Sequence, residues 1–489
     1  MPVKVTFLYP DFFQYDEERY LPEGRIYLGI GYLSAYLKRE GHRTSLIHLV
    51  GPVQRDELLQ RVRRESPHVL AVSSTTHMFP HVRKWIGWIK EDSDIFTICG
   101  GAHPTIDPQG TLDSAPLDAV CLGEGEEALA ELCSALEEGR DPSGIASLWV
   151  RAGREVKRNP VRPLIEDLDT LPFPDRDIFD PANFCSQQHE RGTLMASRGC
   201  PYSCTYCSNH VQRSIYPNRG KYVRFRGVDS VMREVREIIA ADTEGRLRYI
   251  RFDDDILTLK PDWFGELASR YRDEVDLPFI CNSRVNVLDE ETVKLFAQAG
   301  CSVMCMGIES GNEAIRRKVL NRHMSNEDIV RAFRLCREYG IKTVSTNMTS
   351  LPDEDLAALL DSIKINALAR PHCMQVSTYH PYPNTRLYRY SEEKGYLSHR
   401  HVDTIFDGRS ALDSPRFREP AYAFAKERFY PLTELYSRLY EAGGTGKAMA
   451  GALDALLTSE RVPWEWRLPF LRRLVEWADR RSRFEWIYY

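Results

Sequence analysis

Three cysteines lie within eight positions in the stretch Arg198-Gly199-Cys200-Pro201-Tyr202-Ser203-Cys204-Thr205-Tyr206-Cys207-Ser208-Asn209-His210. In a loop, the CxxxCxxC spacing can bring three thiolates to three corners of an iron-sulfur cubane, which leaves the fourth iron without a protein ligand. An iron with an open position can bind a small molecule through an amine and a carboxylate and transfer one electron to it. The alternatives are three unrelated thiols and a zinc site, for which His210, three residues after Cys207, completes four possible ligands.

The cysteine loop resembles the signature of radical S-adenosylmethionine (SAM) enzymes, including the aromatic Tyr206 directly before the third cysteine. The resemblance implies that Cys200, Cys204 and Cys207 hold a [4Fe-4S] cluster and that Tyr206 belongs to the cofactor site. In that family the open iron chelates the methionine part of SAM, and reduction cleaves SAM to a 5′-deoxyadenosyl radical.

The length, charge and cysteine content of the chain limit the classes of protein to which it can belong. A chain of 489 residues predicts two or three domains. The formal charge of -5 gives no general attraction to nucleic acid or to anionic membranes. Apart from the central three, the twelve cysteines show no paired framework of the secreted kind, which favours a reducing cytoplasm. We expect neither a signal peptide nor an integral membrane segment.

Residues 1–155 alternate short apolar runs with amphipathic segments, which predicts an α/β domain with a doubly wound parallel sheet. Such a domain binds ligands at the carboxyl ends of its strands. Three loops rich in glycine and small hydroxyl residues are predicted at those ends, namely Ser73-Ser74-Thr75-Thr76, Gly100-Gly101-Ala102-His103-Pro104-Thr105 and Gly123-Glu124-Gly125-Glu126.

Together these loops resemble the Rossmann-like domain of cobalamin-dependent radical SAM enzymes. The resemblance implies that cobalamin contacts seven residues of the loops: Ser74, Thr75, Gly100, Gly101, His103, Gly123 and Glu124. The DxHxxG motif that supplies a cobalt-coordinating histidine in many cobalamin domains is absent, so we expect the lower face of cobalamin to be free of a protein imidazole. His77 could approach that face, or it could be a solvated or hydrogen-bonded loop histidine.

Residues 156–190 are rich in proline, which predicts a linker. Six strand and helix units follow in residues 191–390, which favours a partial (β/α)6 barrel of the TIM type, as in radical SAM enzymes. The last segment, residues 391–489, has helical periodicity and is predicted to cap the substrate site. The alternative is that its aromatic residues only pack the terminal helices against one another.

Three charged residues are predicted at the ends of barrel strands. The resemblance implies that Asp254 binds the amino group of SAM, that Arg284 binds its carboxylate, and that Glu309 accepts hydrogen bonds from its ribose or amine. The alternatives are a helix N-cap for Asp254, a structural acid as the partner of Arg284, and a buried Glu309 held by Arg284.

Two later motifs depart from the family pattern. Ser350-Leu351-Pro352-Asp353-Glu354 stands where the family commonly has Gly-Leu-Pro-Gly-Glu, so the loop after the fifth strand departs from the family at two glycine positions. Asn384 replaces the glycine of Pro-x-Pro-Gly-Thr, and asparagine tolerates positive φ. Cys281, Cys301 and Cys305 could hold a second cluster, although free cysteines on apolar strands usually behave as small core residues.

The resemblance implies a cobalamin-dependent radical SAM methyltransferase that acts on an unactivated carbon of a small-molecule biosynthetic intermediate. The alternatives are radical cyclisation, ring rearrangement or dehydrogenation, with cobalamin non-methylating or absent, and a non-catalytic metal-binding scaffold. The expected partners are a small-molecule substrate and an electron donor such as flavodoxin or ferredoxin, with no nucleic acid.

Overall fold

The computed structural model describes residues 1–14, 20–21, 26–153, 155–180, 192–216, 220–398 and 409–479. The chain divides into two compact units. Unit 1 comprises residues 1–203, 207–254 and 382–385, and unit 2 comprises residues 204–206, 255–381 and 386–489. Residues 181–190 of the predicted linker and 480–489 of the predicted C-terminal segment lie outside the described residues.

Unit 1 contains a seven-stranded sheet. The strands of unit 1 are β1 (Lys4–Pro10), β2 (Phe13–Gln14), β3 (Tyr20–Leu21), β4 (Arg43–Leu49), β5 (Val69–Ser73), β6 (Phe96–Gly100), β7 (Ala119–Cys121), β8 (Leu148–Ala152), β9 (Glu155–Arg158), β10 (Thr193–Leu194), β11 (Ser197–Arg198), β12 (Arg224–Phe225) and β13 (Ile250–Phe252). The order in the large sheet is β4-β1-β5-β6-β7-β8-β9. The first five strands are parallel, and the last two pair in antiparallel fashion.

This strand order places a topological switch point between β1 and β5, where ligands bind at the carboxyl ends of the strands.

The helices of unit 1 are α1 (Leu28–Arg39), α2 (Arg55–Glu65), α3 (Phe79–Asp92), α4 (Ala102–Ile106), α5 (Pro108–Ser114), α6 (Glu126–Glu137), α7 (Asn209–Ser214) and α8 (Val228–Ala241). Six of the seven residues of β1 are buried, as expected for a strand whose sheet is covered on both faces. Phe7 and Leu8 belong to two separate apolar clusters. The predicted doubly wound domain is therefore confirmed.

The rest of unit 1 carries the start of the predicted barrel. Strands β10 and β13 form a parallel pair. Strand β11, directly before the cysteine loop, pairs in antiparallel fashion with β12, which follows the loop.

Unit 2 contains four parallel strands in chain order. They are β14 (Phe279–Ser283), β15 (Cys301–Glu309), β16 (Lys342–Thr349) and β17 (Cys373–Thr378). The helices that alternate with them or follow them are α9 (Pro261–Glu274), α10 (Glu290–Gln298), α11 (Asn326–Glu338), α12 (Leu356–Ala369) and α13 (Arg386–Glu393). With β10 and β13, these strands account for all six predicted barrel strands.

The C-terminal part of unit 2 is helical, as predicted. Its helices are α14 (Pro420–Glu427), α15 (Phe429–Glu441), α16 (Gly443–Thr458) and α17 (Trp464–Asp479). They share an apolar cluster with α12, through buried residues that include Leu359, Tyr422 and Tyr436. None of the helices in the described ranges is long and apolar enough to cross a membrane.

Candidate functional site

Cys204 lies in unit 2, where its sulfur faces two arginines. The thiol is buried and accepts hydrogen bonds from Arg284 Nη1 at 3.4 Å and from Arg322 Nη1 at 3.9 Å. The thiolate is the form of cysteine that binds metal, and nearby guanidinium groups complement its negative charge. The environment of Cys204 therefore fits a sulfur that ligates iron.

The other two cysteines of the loop lie in unit 1 and are half-buried. Arg213 of α7 donates hydrogen bonds of 2.6 Å to the carbonyl oxygen of Pro201 and to the hydroxyl of Ser203, which fixes the loop after Cys200. Cys207 Sγ accepts a hydrogen bond from the side chain of Asn209 at 3.6 Å.

Glu309 ends strand β15 in an unusual backbone conformation. Its φ is 67°, in the left-handed region that non-glycine residues seldom adopt, and the pairing of β15 with β16 shifts register between Gly307 and Glu309. Strained residues of this kind cluster at functional sites. A side chain on Gly307 would meet Glu309 Oε1 at 2.1 Å, so the carboxylate needs a glycine there.

Arg322 and Thr346 hold the Glu309 carboxylate. Its Oε1 atom lies 3.8 Å from Arg322 Nη1 and 3.4 Å from the hydroxyl of Thr346. Burial raises the pKa of Glu309, although Arg322, Tyr206 and Thr346 oppose the change. The charge of the predicted partner, Arg284, also lowers the pKa of Glu309, and Arg322 forms an ion pair with the carboxylate.

Sequence reasoning gave no role to Arg322. The buried guanidinium donates to the Tyr206 hydroxyl at 3.0 Å and to the carbonyl oxygen of Gly307 at 2.5 Å. Burial disfavours its charge, but Tyr206, Glu309 and Cys204 outweigh burial and raise the pKa of Arg322. The only signal in the sequence was the family-like Leu320-Asn321-Arg322, in a segment where periodicity indicated no more than charged residues flanking a helix.

Asp254 and Arg284 are both placed by local contacts. In unit 1, Asp254 is buried and accepts hydrogen bonds from the Ala196 backbone at 3.0 Å and from the Ser197 hydroxyl. Burial raises the pKa of Asp254 to about 6, although these bonds lower it. In unit 2, Arg284 donates from Nε to Asn286 at 2.6 Å. The roles of both residues in SAM binding stay predictions.

The predicted cobalamin loops meet at the carboxyl ends of β5 and β6. The Ser74 amide donates to the carbonyl oxygen of Gly100, and the His103 amide donates to that of Ser74, both at 3.0 Å. Gly101 has φ 96°, and a Cβ there would lie 2.9 Å from Ser73 Oγ and 3.0 Å from the Ser74 backbone. The two loops therefore form a close backbone cradle, beside which Thr75 is exposed.

His103 is buried in this cradle. Its Nδ1 atom lies 3.3 Å from the Thr76 hydroxyl, and its ring centroid lies 4.2 Å from that of Phe79. Burial lowers the pKa of His103 to about 4, so the imidazole is neutral at physiological pH.

The Gly123 and Glu124 turn is tied to the strands beside the cysteine loop. Glu124 accepts hydrogen bonds from Arg198 at 2.8 Å, from Arg224 at 2.9 and 3.0 Å and from the Ile165 amide at 2.9 Å. Burial alone would raise the pKa of Glu124, but Arg224 and Arg198 lower it. The Gly123 amide donates to the Thr105 hydroxyl at 3.1 Å. Contact of this turn with cobalamin stays a prediction.

Two protein-family models match the chain. The B12 binding domain matches residues 26–133, and the radical SAM superfamily matches residues 194–364. The chain is a radical SAM enzyme with a B12-binding domain. Together the matches cover more than half of the sequence, and they agree with the predicted family and fold.

Named relatives of this radical SAM enzyme are identical to it at about a quarter of the aligned residues. An uncharacterized methyltransferase of Pyrococcus horikoshii is 28% identical over 368 residues, which are 74% of this chain and 78% of the relative. The anaerobic magnesium-protoporphyrin IX monomethyl ester cyclase of Rubrivivax gelatinosus is 24% identical over 376 residues, which are 74% of this chain and 65% of the relative.

A solved structure has the same fold as the radical SAM enzyme. The radical SAM methyltransferase TsrM of Kitasatospora setae, with cobalamin and a [4Fe-4S] cluster bound, superposes with a TM-score of 0.63. It is 18% identical and covers 81% of this chain and 76% of its own. At this identity the similarity establishes the fold alone.

The two domains imply the three predicted cofactors, namely a [4Fe-4S] cluster, SAM and cobalamin. Within the described ranges, no group of three His, Cys, Asp or Glu side chains is arranged to hold a metal ion. The assignment of the cluster to Cys200, Cys204 and Cys207 therefore depends on their spacing, on the surroundings of Cys204 and on the family match.

His77 of the radical SAM enzyme lies against the loop that follows the sixth barrel strand. Both belong to unit 1, where His77 Nε2 lies 3.2 Å from the Tyr382 hydroxyl and the two rings meet edge to face. The predicted hydrogen-bonded alternative for His77 is thus the one observed. Approach of its other nitrogen to cobalamin stays a prediction.

The residues that replace family glycines keep a glycine-like backbone. Ser350, Asp353 and Asn384 have φ values of 59°, 63° and 62°, which lie in the left-handed region. Asparagine and aspartate adopt this region more readily than other non-glycine residues, as expected for Asn384, whereas serine adopts it at a cost. The backbone at Ser350 and Asp353 therefore lies in the region that glycine adopts most readily.

Glu354 stabilises this strained loop. Its carboxylate accepts hydrogen bonds from the amides of Ser350 at 2.6 Å and Leu351 at 3.3 Å and from the Tyr422 hydroxyl at 2.6 Å. Lys426, also on α14, donates to the Ser350 hydroxyl at 2.8 Å. The C-terminal helices are thereby anchored to the fifth-strand loop.

The stability of the enzyme is expected to fall as the pH rises from about 5 to 7. Burial raises the pKa of Glu354 from 4.5 to about 7 in the folded protein, although its hydrogen bonds lower it. Between these values the folded state binds more protons than the unfolded state, so the free energy of unfolding decreases by about 2 kcal/mol. Denaturant unfolding across this range should show the decrease in the native enzyme and lose most of it in the Glu354→Gln variant. An equal slope in the variant would contradict the assignment.

Cys281 and Cys301 are buried on β14 and β15, with their sulfurs 3.9 Å apart, and Cys305 is half-buried. Cys281 and Cys301 are therefore buried core residues, as predicted for free cysteines on apolar strands. A second cluster at these positions stays a prediction.

Proposed function

We propose that this radical SAM enzyme is a methyltransferase that acts on an unactivated carbon of a small-molecule biosynthetic intermediate. The observation that carries the proposal is the convergence of Cys204, Arg284, Tyr206 and Glu309 near one buried arginine, Arg322, in a chain that also has a B12-binding domain. When bound, SAM on the reduced cluster supplies a radical that abstracts hydrogen, and cobalamin supplies the methyl group.

The residues of unit 2 would bind and orient SAM. The planar guanidinium of Arg284 suits both oxygens of the methionine carboxylate, because it presents paired donors. Glu309, beside Arg322, would accept hydrogen bonds from the ribose or the amino group. Tyr206 would add an aromatic face fixed by its hydrogen bond to Arg322. In unit 1, we propose that Asp254 binds the SAM amine above pH 6, where its carboxylate is charged.

The loops of unit 1 would bind cobalamin. The backbone cradle of Ser74, Gly100 and Gly101 lies at the ligand-binding edge of a doubly wound sheet and lets a flat ligand approach closely. His103 is neutral and buried, so it can donate or accept one hydrogen bond without carrying a charge into the site. Thr75 and the Gly123 and Glu124 turn are the further predicted contacts.

The relatives support two reaction types. A relative from Pyrococcus horikoshii is named a methyltransferase, which favours methyl transfer. A relative from Rubrivivax gelatinosus is named a cyclase of magnesium-protoporphyrin IX monomethyl ester, which favours the predicted alternative of radical cyclisation. We rank methyl transfer first because the similarity to the methyltransferase covers more of that relative's own length, at higher identity.

SAM with a deuterated methyl group distinguishes these reactions. The anaerobically reconstituted enzyme is incubated with labelled SAM, reductant and a small-molecule extract of the native cells, and products are analysed by mass spectrometry. We expect S-adenosylhomocysteine, 5′-deoxyadenosine and a product that carries the label. Formation of 5′-deoxyadenosine without any labelled product would contradict methyl transfer and favour cyclisation. Absence of 5′-deoxyadenosine would favour a non-catalytic scaffold.

The expected partners follow from this chemistry. We propose a low-potential electron donor such as flavodoxin or ferredoxin and a cytoplasmic location, where cysteines stay reduced. The formal charge of -5 supports a small-molecule substrate over nucleic acid.

A further inference from the structure

Arg322 is the buried charge shared by the cluster cysteine and the SAM residues of unit 2. Its Nη1 atom lies 3.9 Å from Cys204 Sγ, 3.0 Å from the Tyr206 hydroxyl and 3.8 Å from Glu309 Oε1. Its Nη2 atom donates to the Gly307 carbonyl oxygen. The guanidinium is thus fixed on several sides and cannot turn away from the sulfur.

The backbone on either side of Arg322 is also held by hydrogen bonds. Its amide donates to the carbonyl oxygen of Arg316 at 2.7 Å, and Arg316 is the second residue of the π-helix Ile315–Val319. Three residues later a capping box between Ser325 and Asp328 begins α11. Single-turn π-helices occur frequently at functional sites. The backbone on both sides of Arg322 therefore holds its side chain at Cys204.

A buried positive charge near a cluster sulfur affects electron transfer. One-electron reduction adds a negative charge to the cluster, and a nearby cation stabilises the reduced form more than the oxidised form. Because Arg322 and Cys204 are both buried, salt screens their interaction little. Glu309 partly cancels this effect, since its carboxylate lies beside the same guanidinium.

We propose that Arg322 is a positioning residue that raises the reduction potential of the cluster through Cys204 and so makes the cluster reducible by a low-potential one-electron donor. Arg284, at 3.4 Å from the same sulfur, acts in the same direction but is also predicted to bind SAM. Arg322 therefore gives the cleaner test. The inference rests on the cluster of the proposed function but not on methyl transfer.

The test is a redox titration of the reconstituted enzyme without SAM or substrate, followed by electron paramagnetic resonance of the reduced cluster. Three variants are compared with the native enzyme: Arg322→Met removes the charge, Arg322→Lys keeps it, and Arg316→Met removes another fully buried arginine. Arg316 is a matched control, because it binds Ser310, Met324 and Asn326 rather than Cys204.

We measure the ratio of reduced to oxidised cluster at the midpoint potential of the native enzyme. Arg322→Met should lower this ratio at least tenfold, which corresponds to a decrease in reduction potential of about 59 mV for one electron. Arg322→Lys should keep most of the native ratio, and Arg316→Met should stay within about twofold of it, because the charge at Cys204 is kept. A native potential in Arg322→Met with full iron content would overturn the proposal. An equal shift in Arg316→Met would also overturn it, since the effect would then reflect packing.

Glu309→Gln gives a second test with the opposite sign. Removal of the carboxylate leaves the charge of Arg322 uncompensated, so the ratio of reduced to oxidised cluster should rise. This variant decides the question if Arg322→Met does not fold. An unchanged or lower ratio would overturn the proposal. All these measurements are independent of methyl transfer, so a negative labelling experiment leaves them valid.

Discussion

Replacement of Cys204 by alanine is expected to abolish the iron-sulfur absorbance and to reduce SAM cleavage to background. Three protein thiolates bind three of the four irons and leave one open for SAM, and a cluster with only two protein ligands is not held firmly. The loss of the thiol also leaves Arg284 and Arg322 facing an empty apolar position. Iron and sulfide content, the visible spectrum and 5′-deoxyadenosine production measure the result. Alanine at Cys200 or Cys207 should have the same effect.

Two control variants test whether the loss of iron is specific to the cysteine loop. Cys305→Ala removes a half-buried thiol on β15 and should keep full iron content, unless a second cluster exists. His210→Ala removes the fourth ligand of the zinc alternative and should also keep full iron content. Retention of the cluster and of SAM cleavage in Cys204→Ala would contradict the site, and bound zinc that is lost in His210→Ala would favour the zinc alternative.

The parts of the fold that sequence reasoning predicted depend on local patterns. Strand β1 is apolar along nearly its whole length, and the Ser-Ser-Thr-Thr and Gly-Gly loops lie directly at strand ends, so their placement follows from periodicity. The cysteine loop is similarly local, because its three ligands lie within eight residues. In each case the residues that decide the structure are close neighbours in the chain.

The parts that sequence reasoning missed depend on distant contacts. Arg322 lies 118 residues after Cys204, and no pattern in one sequence indicates that the two side chains meet. Ser350 holds a left-handed backbone because Glu354 and Tyr422 bind its amide, and Tyr422 is 72 residues away. Propensity alone argued against this conformation, and the tertiary contacts compensate for its cost.

The Gly123 and Glu124 turn is the region where the sequence-based prediction and the observed contacts differ most. The family resemblance assigns Glu124 to cobalamin, whereas its carboxylate is bound by Arg198 and Arg224, which follow it by 74 and 100 residues. These arginines end β11 and begin β12, the short strand pair beside the cysteine loop. The observed contacts thus predict that Glu124 holds that pair in place within unit 1.

Replacement of Glu124 by alanine is expected to reduce the free energy of unfolding by about 3–5 kcal/mol, because removal of one partner leaves buried charges uncompensated. Arg224 is 7% exposed and loses its carboxylate partner, while Arg198 keeps Glu126 at 2.7 Å. Denaturant unfolding measures the change. The matched control is Glu131→Ala, which breaks a pair with Arg162 in which the acid is 48% exposed and should cost at most about 1 kcal/mol.

A double variant and a cobalamin titration separate the two roles predicted for Glu124. If the ion pair is the main interaction, the double variant Glu124→Gln/Arg224→Met should lose less free energy of unfolding than the sum of the losses in the two single variants. The reason is that the double variant also removes the guanidinium that Glu124→Gln leaves without a carboxylate partner. If the carboxylate instead binds cobalamin, Glu124→Gln should lose cobalamin affinity while the cobalamin-free protein unfolds at the native denaturant concentration. The second outcome would contradict a structural role, since the buried Arg224 cannot lose its carboxylate partner without a cost in stability.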